Sequence, residues 1–88
     1  MRRPSFTKQF DRDLKRMLKR GKDSARIKLI TTKLINEELL APKHKDHKLL
    51  GKFMGRRECH IEPDWLLIYK IIGDEIIFER TGTHADLF

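Results

Sequence analysis

The apolar residues of this chain repeat with one period in its first part and with another in its last, and that change limits what it can fold into. Between Thr7 and Arg20, Phe10, Leu14, Met17 and Leu18 stand at i, i+4, i+7 and i+8, the spacing of one helical face. Thr7 can cap this helix and Gly21 can end it. A second helix is expected from Ser24 to about Glu38, with Asp23 as N-cap and Ile27, Ile30, Leu34 and Ile35 facing inward. The link Gly21-Lys22 is short enough to make an antiparallel pair the natural geometry. Each helix carries one narrow apolar stripe, so the pair cannot be the whole core.

The period then becomes two. Phe53 to Ile61, Trp65 to Ile72 and Glu75 to Thr81 are rich in aromatic and β-branched residues and are separated by Glu-Pro-Asp and Gly-Asp turn signals. Gly73-Asp74 suits a type II′ turn, which pairs Ile72 with Glu75, Tyr69 with Phe78 and Leu67 with Arg80. A two-residue turn at Pro63-Asp64 also sets His60 opposite Leu67, on one face with Arg80; a three-residue turn sends the two to opposite faces. The sequence leaves both registers open. A short strand in residues 2–6 can join the sheet. The fold class is therefore α+β, an N-terminal helical hairpin packed on one face of a twisted, mainly antiparallel β-sheet. At 88 residues the chain is expected to be a single domain, 1–88.

Between the two halves, Leu39 to Lys52 has no periodicity and reads as a connecting loop, long enough to suggest function. It is also basic. The formal charge of +7 is concentrated: residues 1–22 hold nine basic side chains against Asp11 and Asp13, and residues 43–57 hold six against Asp46. Residues 58–88 hold two basic side chains against seven acidic ones, together with the only tryptophan, the only tyrosine and two of the four histidines. Such a division suggests a basic rim for a polyanion and a separate pocket for chemistry. No apolar run approaches the length of a membrane span, no secretory segment is expected at the N-terminus, and a lone Cys59 fits a reducing cytoplasm.

Several candidate sites follow. His44 and His47 have the spacing of a metal pair, but no second tight ligand pair accompanies them, and His44 reads as a solvated loop residue. His60 and Asp64 flank the Glu-Pro turn, and a carboxylate beside an imidazole orients it for proton transfer. Trp65 reads as core or pocket wall, Tyr69 and Phe78 as core packing, and Cys59 as a buried small hydrophobe. The segment Glu79 to Phe88 leaves a strand at Arg80, turns at Gly82 and offers Thr83 and Asp86 as a capping pair for one final helical turn, which fixes His84. An arginine at a strand end near a histidine is what phosphodiester cleavage requires: a fixed cation and a proton carrier.

At these residues the sequence resembles a known family. Lys45-Asp46-His47-Lys48-Leu49, Gly51-Lys52, the run Arg57-Glu58-Cys59-His60-Ile61-Glu62-Pro63-Asp64-Trp65, the run Phe78-Glu79-Arg80-Thr81-Gly82-Thr83-His84 and the final Leu87-Phe88 are similar to the YafQ branch of the RelE/ParE superfamily, bacterial toxins of type II toxin–antitoxin systems. Residues 45–88 carry the specific motifs, and the helical half agrees in layout. The resemblance implies a RelE-like fold and a cytoplasmic, ribosome-dependent endoribonuclease that cuts mRNA in the ribosomal A site without a metal or other cofactor. By position it implies site residues His47, His60, Asp64, Arg80, His84 and Phe88. His84 would be the leading acid or base, His60 and Asp64 a second proton-transfer pair, and Arg80 the stabiliser of the phosphorane. His47 would close the pocket, and Phe88 would position a base or the tail. The implied partners are a cognate acidic, partly disordered antitoxin, the 70S ribosome with its mRNA, and operator DNA only through the antitoxin complex. Arg12, Lys15, Arg16 and Lys19 of the first helix, with Lys43, Lys45, Lys52, Arg56 and Arg57 of the loop, would then face ribosomal RNA. Two other readings fit the same fold: a ParE-like toxin that inhibits gyrase by binding, which has no use for proton-transfer groups, and a non-catalytic RNA-binding module.

Overall fold

The helical hairpin forms where its caps place it. In the structure, a computed structural model that describes residues 1–88, the Thr7 hydroxyl accepts from the Phe10 amide and starts helix α1 (Lys8–Lys19). Gly21 turns the chain at φ +91°, and Asp23 caps α2 (Ser24–Ile35) by accepting from the Ala25 amide. The buried face of α1 is Phe10, Asp13 and Met17, whereas Leu18, expected inward, is exposed. At about 100° per residue, Leu18 lies roughly 80° from Phe10 on one side and Asp13 roughly 60° on the other. The buried stripe is centred toward Asp13 because the sheet holds partners for its carboxylate.

Helix α2 stops short of the expected Glu38. The Glu38 and Glu37 amides bond back to the carbonyls of Lys33 (2.9 Å) and Leu34 (3.2 Å), with Glu37 in the left-handed region at φ +62°. The N-terminus closes this cap from outside. Arg2 donates from its amide to the Ile35 carbonyl (2.7 Å) and from its guanidinium to that of Leu34 (2.8 Å).

Five strands form one sheet in the order β1-β5-β4-β3-β2, with β1 (Arg3–Phe6), β2 (His47–Lys48), β3 (Arg57–Glu62), β4 (Trp65–Ile72) and β5 (Glu75–Gly82). Only β1 and β5 run parallel. The segment expected to be a featureless loop holds a 3-10 turn at Pro42–His44 and the edge strand β2, too short for any alternation to register in sequence. A second 3-10 turn, Gly51–Phe53, takes the residue expected to open a strand, so β3 begins at Arg57. The chain ends in a short helix, α3 (His84–Leu87).

Strand β4 is the centre of the sheet and buries both faces. Trp65, Leu67 and Tyr69 pack toward the helices with Phe10, Met17, Ile27, Ile30, Leu34 and Phe78, while Leu66 and Ile68 face the other way with Leu87, Leu49 and Phe53. Gly73 opens its turn at φ +59°, and Ile72–Glu75 and Tyr69–Phe78 pair as expected. Leu67 does not pair with Arg80, however. Glu79 is skipped in the ladder, so Arg80 stands opposite Ile68. On the other side Pro63-Asp64 is a two-residue turn with Glu62 opposite Trp65, but Ile61 is skipped, and His60 stands opposite Leu66 rather than Leu67. Each bulge turns its residue to the other face. The two shifts cancel, leaving His60, Arg80 and Glu58 together on the face away from the helices.

Strand β1 pairs with β5 only as far as Phe78. Beyond it the carboxylate of Asp13, whose side chain is fully buried, accepts from the Thr81 amide (3.2 Å), Arg80 Nε (2.7 Å) and Gln9 Nε2 (2.9 Å). Replacing Asp13 by Asn would turn one acceptor oxygen into a donor facing donors. Asp13→Asn should lower the unfolding free energy by about 2–3 kcal/mol in urea titrations with an unchanged slope. Asp11→Asn on the exposed side of α1 should change it by less than about 0.5 kcal/mol.

Candidate active site

Strand alternation assembles a row of imidazoles. Pairing of β2 with β3 sets His47 opposite Glu58, and Glu58 and His60 share a face of β3. The Glu58 side chain is 7% exposed, and its Oε1 lies 3.5 Å from His47 Nε2 and 3.4 Å from His60 Nε2. The His47 and His60 rings are 6.4 Å apart, and the His60 and His84 rings 5.8 Å. His84 is held at the end of this row by α3, whose capping box is the one expected: Asp86 donates from its amide to the Thr83 hydroxyl, and its carboxylate accepts from the Thr83 amide. Arg20, the C-cap of α1, grips the same carboxylate with two N–H groups (2.7 and 3.1 Å). A Cβ on Gly82 would stand 3.0 Å from Asp86, so only glycine leaves this cap unstrained.

Asp64 was expected beside His60 and instead serves His84, accepting from its backbone N–H (2.9 Å) and its ring Nδ1 (2.6 Å). The Pro63-Asp64 turn presents its carboxylate to α3, whereas His60 finds Glu58 two residues back on its own strand. A carbonyl only accepts, so His47 donates its Nδ1–H to Lys45 and His44 donates its Nδ1–H to His60 (2.6 Å). His44 is therefore a half-buried strut on the bulged strand, not a solvated loop residue. With Nδ1 committed in His47 and His84, Nε2 is the nitrogen of each that is left to take or give a proton.

Arg80 shares the sheet face but opens on an adjoining cleft of ≈ 340 Å³ with Lys52, Phe53, Arg56 and Glu79 rather than on the histidine row itself. Phe53 joins the two, packing edge-on against Phe88 at 5.4 Å, and Leu87 lies on Leu66 and Ile68 below. Asp13 takes the Nε edge of the guanidinium and leaves its other N–H groups for an anion. Among the basic side chains expected to face RNA, Arg12, Lys15, Lys19, Lys43, Lys45 and Lys52 are exposed and form no ion pair. Arg56 is bound to Glu79 (2.6 Å), Arg57 to Asp46 (3.4 Å) and Arg16 more loosely to Asp86 (3.8 Å), so these three are partly neutralised.

Sequence reasoning missed Glu58 and Asp13. Both carry a readable signal: Glu58 alternates with His60, and Asp13 lies inside the stripe from Phe10 to Met17. Cys59 and Trp65 are buried as read; burial pushes the Cys59 thiol up, which keeps it inert. No three or more His, Cys, Asp or Glu side chains are grouped to hold a metal ion, and no helix is long and apolar enough to cross a membrane.

The backbone N–H of His84, then its ring, holds the Asp64 carboxyl below the usual carboxylate range, and Arg20 holds that of Asp86 lower still. Both contributions are complete above the ordinary value of about 4 and disappear as pH falls through the depressed values. In an acid titration followed by NMR, the Thr83 amide should therefore stay fixed down to about pH 4 and move below it, and the His84 amide should shift in a step of its own below about pH 4. In Asp64→Asn the His84 shift should be lost while the Thr83 shift, which reports Asp86, remains.

The sequence and the fold as a whole match known proteins. A family model described as the bacterial toxin of type II toxin–antitoxin system, YafQ, matches residues 2–88. The mRNA interferase toxin YafQ of Escherichia coli K12 is 48% identical over 84 residues, 94% of this chain and 91% of that one. The crystal structure of the E. coli DinJ–YafQ complex superposes with a TM-score of 0.93 at 45% identity, covering 100% of this chain and 99% of that one. A metal-bound toxin from Helicobacter pylori superposes with a TM-score of 0.93 at 40% identity, covering 100% of both chains. With the family model spanning nearly every residue and the fold matched end to end, the chain belongs to the YafQ family of bacterial type II toxin–antitoxin toxins.

Proposed function

We propose that this toxin is an endoribonuclease that cuts mRNA in the ribosomal A site by acid–base catalysis. The observation that carries the reading is His84, held through Nδ1 by Asp64 at the end of a histidine row, with the tethered guanidinium of Arg80 on the same sheet face. One imidazole accepts the proton of a ribose 2′-hydroxyl, and the oxygen attacks the adjacent phosphorus. A second protonates the departing 5′-oxygen, leaving a 2′,3′-cyclic phosphate and a 5′-hydroxyl. Arg80 offsets the charge that develops on the phosphorane. His84 is one of the two proton carriers, His60 with Glu58 supplies the other, and His47 closes the row. Phe88, half-exposed and braced by Phe53, offers a ring on which a base can stack.

The exposed, unpaired basic residues of α1 and of the loop before β3 suit ribosomal RNA. The same charge suits an acidic, partly disordered antitoxin, with operator DNA reached only through the toxin–antitoxin complex; the E. coli relative is found in complex with DinJ.

Expression of the toxin and of His84→Ala, followed by mapping of mRNA 5′ ends, tests the reading. Codon-phased cuts should fall by about 10²–10⁴-fold in the variant, and Arg80→Ala should lower single-turnover cleavage on ribosomes by about 10²–10³-fold. Undiminished growth arrest in His84→Ala without any cuts would overturn the reading in favour of inhibition by binding. Cleavage by purified toxin should persist in a transition-metal chelator that leaves ribosomal Mg²⁺ in place; loss restored by added metal would overturn the metal-independent mechanism.

A further inference from the structure

A second polar cluster lies on the opposite side of the sheet from the histidines. Tyr69, buried in the middle of β4 and facing the helices, donates its hydroxyl to Oδ1 of Asp46. Arg57 Nε stands 3.4 Å from that oxygen and from the Tyr69 oxygen. Burial first, and the Asp46 carboxylate next, hold the phenol above its ordinary value, so it remains a donor across the physiological range.

Asp46 immediately precedes His47. Its carboxylate turns to Tyr69 on the helix side while the His47 imidazole turns to Glu58 on the other, as neighbours in an extended chain do. Strand β2 has only two ladder pairs with β3, too few to hold an edge unaided, and it follows Lys45, a non-glycine residue at φ +46°. The His47 ring is itself referenced to this segment, because its Nδ1–H is bound to the Lys45 carbonyl. Whatever moves Asp46 therefore moves the imidazole.

We propose that Tyr69 and Asp46 are positioning residues for His47: the buried hydroxyl clamps the loop carboxylate across the sheet edge and so fixes where the imidazole stands beside Glu58 and His60. The proposal rests on the reading that His47 takes part in cleavage. It gives Tyr69 a task beyond core packing, and it explains why an edge strand this short presents a side chain in one place.

The test combines hydrogen exchange with single-turnover cleavage on programmed ribosomes, for the toxin, Tyr69→Phe, Asp46→Ala and Asp46→Asn, each alone and with His47→Ala. Tyr69→Phe keeps the ring in the core and removes only the donor. It should speed exchange at Leu49, whose amide bonds to the Arg56 carbonyl (2.9 Å). It should also lower the cleavage rate constant roughly tenfold with half-saturation within about twofold. Asp46→Ala should behave alike, while Asp46→Asn, which keeps an acceptor for the hydroxyl, should retain most activity. In the His47→Ala background neither Tyr69→Phe nor Asp46→Ala should lower the rate further. Unchanged exchange in Tyr69→Phe, or the same fractional loss with and without His47, overturns the clamp. A His47→Ala toxin as active as the parent overturns the reading of His47 instead, and exchange in Tyr69→Phe still decides whether the loop is clamped.

Discussion

One buried carboxylate, Asp13, connects the helices to the strand that carries the arginine. A fully buried charge is stable only when it is fully matched, and its partners here are a guanidinium, a backbone amide and a side-chain amide. Two of the three sit where β5 runs on without β1 beside it. The carboxylate thus takes the place of a ladder acceptor and fixes the arm of Arg80 in the same contact. Helix α1 holds the other end of the site as well, through Arg20 on Asp86. Arg80 and His84 therefore share one rigid support, although they lie on different elements.

Which face these groups occupy is decided by the bulges. Without them, regular pairing from the Gly73 and Pro63 turns would place His60 and Arg80 on the helix side, in the core with Leu67. Skipping Ile61 and Glu79 brings both to the open face without disturbing the Tyr69–Phe78 pair that the core needs. Ile61 itself stays buried against the helices, and the Glu79 carboxylate is taken up by Arg56. Both skipped residues thus have uses of their own, which is why the irregularities are stable.

Much of this was legible in the sequence because it repeats. The two helices, the three long strands, the Gly73 turn and the Thr83–Asp86 cap each rest on a local pattern, and each is present, although α2 ends before Glu38 and the first long strand opens at Arg57 rather than Phe53. What was not legible depends on contacts distant in the chain. The bulges at Ile61 and Glu79 have no signature because their common partner β4 is apolar on both faces and fits either register, so the Leu67 pairings are shifted. The two-residue strand β2 is shorter than any period. Asp64 lies four residues from His60 and twenty from His84, and proximity along the chain favoured the wrong partner. The site's residue types were readable from motif and charge, but their pairings required the register.

The division of charge acquires a structural cause at this point. Arg20, Arg56, Arg57 and Arg80 all bind internal carboxylates, so the arginines that pack on the sheet serve mainly as struts, with planar groups suited to bidentate contacts. The unpaired positive charge is largely lysine, on the exposed side of α1 and on the segments flanking β2. Lysine is a mobile, strongly hydrated point charge and imposes little geometry on a phosphate backbone. Precise placement is thus kept for the few groups that move protons or face the phosphorane, while attraction to RNA or to an acidic partner is left to a surface that need not be ordered.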